Sequence, residues 1–165
     1  MREDGEAATT NDWNPRLATV SESEDLARLL HDFNTEFDTP SPGVEFLAER
    51  LRELLAGDAT FAIVAGTPPV AVALVTLRPN VWYVGPVALL DELYVEPHLR
   101  SRGIGSAIVD LLVSTCRQRG VGLIEINVDE GDVDAQRFYE RQGFAATEVG
   151  SSERAFYYFQ ELRPE

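Results

Sequence analysis

The chain has 165 residues, 44% of them apolar, and a net charge of −14, a composition that suits one soluble domain with a real core and excludes a membrane-embedded one. All 14 basic residues are arginine, which excludes Schiff-base and P-loop lysine chemistry, and the acidic field disfavours nucleic acid as a partner while attracting cations. The lone cysteine, Cys116, excludes an internal disulfide and a cysteine-based zinc site, and His31 and His98 have no ligand spacing around them, so no metal is expected.

Residues 1–15 are polar and aperiodic and read as a flexible N-terminal tail, leaving 16–165 as a single domain. No basic, apolar, small-residue leader pattern opens the chain and no stretch reaches the ~18 apolar residues of a membrane span. The cytoplasm is the expected address. Residues 17–20 read as a first strand. Ser21 and Glu24 then have capping-box spacing, and Leu26, Leu29, Leu30 and Phe33 fall at helical intervals. The Pro- and Gly-containing residues 38–43 break that helix, and Leu47, Leu51, Leu54 and Leu55 form a second stripe that stops at Gly57.

Residues 61–65 and 70–77 are β-branched, apolar runs joined by Gly66-Thr67-Pro68-Pro69, which predicts a hairpin within an antiparallel meander. Residues 87–95 read as a further strand, interrupted in polarity by Asp91 and Glu92 and ended by Pro97. A glycine turn follows, then a helical stripe through Ile104, Ala107, Ile108 and Leu111. Residues 123–128 predict a strand, 132–141 a helix, and 144–149 and 155–162 two closing strands.

The turn Arg100-Ser101-Arg102-Gly103-Ile104-Gly105 carries most of the chemistry. A turn of low bulk opening a helix aims unpaired backbone N–H groups and the positive end of the helix dipole at one spot, which suits a phosphate. The dinucleotide-binding pattern needs a third glycine where Ile108 stands, and the Walker pattern needs a lysine, so both fail on residues.

The segment from Leu93 to Ser106, with arginine, two residues, Gly103, one residue and Gly105, resembles the signature of the GNAT superfamily of N-acetyltransferases, and Ala135, Phe138-Tyr139 and Gly143-Phe144 resemble that family's later helix motif. The resemblance implies an α+β fold, a curved mixed sheet flanked by helices, and acetyl-CoA as cosubstrate. It places Arg100, Ser101, Arg102, Gly103, Ile104, Gly105 and Ser106 at the pyrophosphate and Leu93, Tyr94 and Val95 along the pantetheine arm. It puts a Leu93 N–H at the thioester carbonyl and Tyr139 beside the sulfur as the acid for the leaving thiolate. Where many members carry asparagine at the start of the last helix this chain has Asp132, which is also a good N-cap residue.

Acyl transfer to nitrogen needs a neutral amine, so a base must take the ammonium proton. Asp91 and Glu92 are adjacent, and in a regular strand they point to opposite faces, so only one faces an acceptor unless a bulge intervenes. Glu92 is the first candidate and Asp91 the second. Asp129 or Glu130 is the third, because residues 128–132 resemble the acidic segment of aminoglycoside 3-N-acetyltransferases. Together these carboxylates suggest a cationic small-molecule acceptor, an aminoglycoside in the sharper version. A protein or peptide acetyltransferase and a non-catalytic acyl-CoA-binding module are the alternatives, and the subunit count is open, a homodimer among the options. Cys116 reads as a buried thiol, His31 and His98 as structural or solvated, and Trp82-Tyr83 as either cleft-lining or plain surface.

Overall fold

The computed structural model describes residues 12–162. The chain divides into two compact units at Glu125/Ile126. The expected tail, residues 1–15, lies mostly outside the described residues. No helix among the described residues is long and apolar enough to cross a membrane.

The first unit follows the predicted order closely. Strand β1 (Pro15–Leu17) leads through a 3-10 turn (Val20–Glu22) into α1 (Ser23–Glu36) and α2 (Val44–Leu55). Then come β2 (Thr60–Ala65), β3 (Ala71–Arg78), β4 (Val87–Val95), a second 3-10 turn (Pro97–Leu99), α3 (Ile104–Gln118) and β5 (Leu123–Ile126). The sheet order is β1-β2-β3-β4-β5, with β1 to β4 an antiparallel meander. The first strand sits two residues earlier than expected, and the capping box forms between Thr19 and Glu22 rather than Ser21 and Glu24. Arg16 decides this: its guanidinium grips both carboxylate oxygens of Glu22 at 2.6 and 2.9 Å, leaving Glu22 Oε2 to accept from the Thr19 N–H at 2.9 Å.

Alternation along the strands divides the core in two. On one face Ala62, Val64, Val72 and Tyr94 pack with Leu26, Ala27, Leu29 and Leu30 of α1 and Ala48 and Leu51 of α2, with Leu74 at the margin. On the other face Ile63, Ala73 and Val75 are fully buried, and α3 packs there through Ile108, Val109 and Leu112. Close backbone approach fixes the entry to β4 and β5. A Cβ on Gly85 would stand 1.7 Å from the Gly120 carbonyl oxygen, so only glycine lets those two segments touch. The Gly122 N–H then donates to the Pro86 carbonyl at 2.9 Å, which sets β5 beside the start of β4.

In the second unit, α4 (Val133–Arg141) is capped by Asp132, whose carboxylate accepts from the Ala135 N–H at 2.9 Å. The helix ends on left-handed Gly143, with the Phe144 N–H donating back to the Tyr139 carbonyl at 3.0 Å. The two closing strands expected at 144–149 and 155–162 do not form, and an isolated bridge pairs Thr147 of the first with Arg154, just before the second. Tyr157, Tyr158 and Phe159 remain 71%, 87% and 79% exposed. Their β-propensity is a preference for a half-buried, paired surface, and these residues have no ladder to satisfy it.

Candidate functional site

The glycine turn has the backbone shape an anion needs. Ser101 and Gly103 both take the left-handed conformation, with φ of 61° and 82°. Left-handed residues in such a turn gather successive N–H groups toward one concavity. Gly103 is the N-cap of α3 and no side chain caps it, so the first-turn N–H groups of the helix are not taken by a capping side chain. The Gly103 φ is one that a residue with a Cβ would resist. Arg102 is exposed and lies over the Trp13 ring at 5.6 Å. Arg100 is differently placed: its Nε–H donates to the Val95 carbonyl at 2.9 Å and its two terminal nitrogens pair with Glu36.

The strand before the turn carries a register shift. Leu74 pairs with Glu92 and Val75 with Leu90, so Asp91 is the extra residue of a β-bulge. The bulge overturns the expectation of opposite faces. Glu92 shares the face of its partner Leu74, and Asp91 turns to the same face, where its Oδ2 accepts a 2.6 Å hydrogen bond from the Thr76 hydroxyl. Burial raises the pKa of Asp91, partly offset by the Thr76 donor, and burial together with the neighbouring Asp91 charge raises that of Glu92. The result is two carboxyls side by side, both pushed toward the neutral form, with the Thr76 donor opposing that shift at Asp91.

Backbone directions can be read from the same ladder. The Glu96 N–H donates to the Val70 carbonyl at 3.0 Å, toward β3. Alternation therefore turns Glu92 and Tyr94 main-chain groups to β3 and those of Leu93 and Val95 to the opposite edge. With four residues in β5 against nine in β4, part of that edge extends past its neighbour. The Tyr94 side chain is 5% exposed and stacked on Phe33 at 5.2 Å, and its backbone groups turn to β3, so Leu93 and Val95 offer this edge and Tyr94, contrary to expectation, does not. Two concavities, of about 450 and 430 Å³, are lined by residues of 58–86 and of 42–49 and by none of the turn residues.

Residues 24–144 match the acetyltransferase (GNAT) family. The chain belongs to that family. Among solved structures, it is 51% identical to a candidate acetyltransferase from Arthrobacter sp. FB24, with a TM-score of 0.84 over 90% of this chain and 95% of that one. An uncharacterized N-acetyltransferase of Methanocaldococcus jannaschii is 36% identical over 63 residues, which are 38% of this chain and 28% of the relative's length. The aminoglycoside N(6')-acetyltransferase type 1 of Serratia marcescens is 28% identical over 66% of this chain and 79% of its own.

Four of the residues that the resemblance singled out, Asp129, Glu130, Asp132 and Tyr139, belong to the second unit. Tyr139 is half-buried on α4, edge-on to Phe138 at 5.1 Å and to Phe144 at 5.9 Å. Asp129 is exposed, and its backbone carbonyl, with that of Glu130, accepts from the Gln136 amide at 3.0 and 2.8 Å. The Glu130 carboxylate pairs with Arg154 at 3.0 Å. Asp132 caps α4, as expected of a good N-cap residue. Cys116 is buried and burial raises its pKa, so it has the character of an inert thiol. Thr76 and Glu36 were not legible as site residues: each acts across a gap of 15 or 64 residues in sequence, and neither matches a local motif.

Proposed function

We infer that the chain transfers the acetyl group of acetyl-CoA to a primary amine of a cationic small molecule, by direct attack in a ternary complex. The observation that carries this reading is the β4 bulge, which sets Asp91 and Glu92 on one face immediately before Leu93. The left-handed turn and uncapped start of α3 fit an anionic pyrophosphate, with Arg102 adding a cation and residues 101–106 mainly backbone N–H groups. Leu93 and Val95 present outward backbone groups to a pantetheine arm as an added strand would.

In this reading Glu92 takes the proton of the acceptor ammonium, directly or through water, because its raised pKa brings it nearer the working pH than an ordinary carboxyl. Asp91, whose hydrogen bond from Thr76 partly offsets the upward shift that burial causes, supports the acceptor's positive charge when ionised. The neutral amine forms the C–N bond, the Leu93 N–H donates to the carbonyl oxygen as charge gathers there, and Tyr139 gives its proton to the departing thiolate as the C–S bond breaks. Asp129 is the third candidate base. The net charge of −14 favours a cationic acceptor at long range, and the relative from Serratia marcescens supports an aminoglycoside as the sharper form.

The test is thiol release from acetyl-CoA against aminoglycosides, polyamines, amino-acid amines and peptides. Turnover restricted to polycationic small amines is the expected outcome. Turnover with peptides alone would point to a protein acetyltransferase, and coenzyme A binding without any product would leave an acyl-CoA-binding module.

A further inference from the structure

Helix α1 brackets the cofactor turn with two ion pairs of opposite polarity. Near its middle, Arg28 reaches Glu96 Oε1 at 3.2 Å and the Pro69 carbonyl at 3.1 Å. At its end, Glu36 holds Arg100 with both oxygens, at 2.6 and 2.7 Å. Glu96 and Arg100 flank the 3-10 turn Pro97–Leu99, so α1 grips the chain on both sides of it. The Arg100 guanidinium also lies over Tyr94 at 5.5 Å, and Tyr94 stacks on Phe33, one turn before Glu36 on α1.

Arg100 therefore has each of its three nitrogens engaged inside the protein, and its charge is balanced by Glu36. Bidentate pairing of this kind fixes geometry as much as it contributes energy. Arg102, by contrast, has no ion-pair partner among the described residues. We propose that Glu36 is a positioning residue for the cofactor: through Arg100 it fixes the approach of residues 101–106, and Arg102 is the cation that meets the pyrophosphate. This rests on the reading of the turn as the coenzyme A site.

The sign of one measurement separates this from simple charge effects. Removing a carboxylate near a polyanion site should, by Coulomb attraction alone, tighten coenzyme A binding. A positioning role demands the reverse. Calorimetric titration with coenzyme A, at low and moderate salt, is expected to show E36Q binding on the order of tenfold more weakly than the unaltered chain. Its salt dependence should be unchanged, and kcat at saturating acetyl-CoA near normal. E36D, which keeps the charge at shorter reach, should recover part of the affinity, and R102Q should flatten the salt dependence. Equal or tighter binding by E36Q, or no recovery in E36D, overturns the proposal. Failure of the unaltered chain to bind coenzyme A would instead overturn the reading of the turn itself.

Discussion

Replacing Glu92 by glutamine keeps shape and hydrogen-bonding length while removing the ionisable group, and the bulge makes two opposite consequences follow. As general base, Glu92 should be worth about 10²- to 10⁴-fold in turnover, which is roughly 3 to 5 kcal/mol of barrier. For stability the sign is reversed. Burial and the Asp91 charge raise the folded-state pKa of Glu92 above its ordinary 4.5. A carboxyl with a raised folded pKa holds its proton more readily in the native state, so stability is fully present below the ordinary value and is lost as pH climbs through the raised one. E92Q never ionises and never incurs that loss. The assay pairs thiol-release kinetics with thermal melts between pH 4 and pH 8. Turnover should collapse in E92Q, while its melting temperature, matched to the unaltered chain at pH 4, should exceed it at pH 8. A variant with undiminished turnover, or melting curves that run parallel across that range, would refute the assignment.

Tyr139→Phe should lower kcat by about 10²-fold with little change in the Michaelis constant for acetyl-CoA, since the ring packing on Phe138 and Phe144 is kept and the proton donor lost; unchanged turnover removes Tyr139 as the acid. Thr76→Val deletes the 2.6 Å donor that lowers the Asp91 pKa. The acceptor's Michaelis constant should then rise several-fold, by the order of one charge-assisted hydrogen bond, and most strongly on the acid side of the pH profile. Gly85→Ala drives a Cβ into the Gly120 carbonyl, and overpacking against backbone should cost about 3 kcal/mol or more. That is a fall of about 6 °C or more in melting temperature for a chain of this size, and a melt within 1 °C of the unaltered chain would contradict the close approach.

Much of the first unit was legible because its signals are local. Residues 87–95 are an apolar run broken only by Asp91 and Glu92 and ended by Pro97, and β4 occupies that stretch; Gly103 marked the start of α3 at Ile104. The misplaced capping box shows the limit of local reading. Thr19-x-x-Glu22 and Ser21-x-x-Glu24 fit the pattern equally, and Arg16, three residues before Thr19, selects the first by gripping Glu22. The closing strands failed for a related reason, since Tyr157 to Phe159 have the composition of a strand but strand formation depends on a partner that composition cannot supply. The site's two unread residues, Thr76 and Glu36, are defined wholly by what the fold brings to them. The bulge itself was invisible because an adjacent Asp-Glu pair is compatible with a regular ladder as much as with an interrupted one.

The bulge also changes how β4 must be counted. Before it, odd-numbered residues such as Leu89 and Asp91 face α1 and α2; after it, even-numbered residues such as Glu92 and Tyr94 do. The strand thus reverses parity within a single step, and the step is where the two carboxylates meet. A one-residue gap between Leu90 and Leu93 in a related chain would restore uniform parity and leave a single acid at this step. In this stretch, a difference in length is a difference in chemistry.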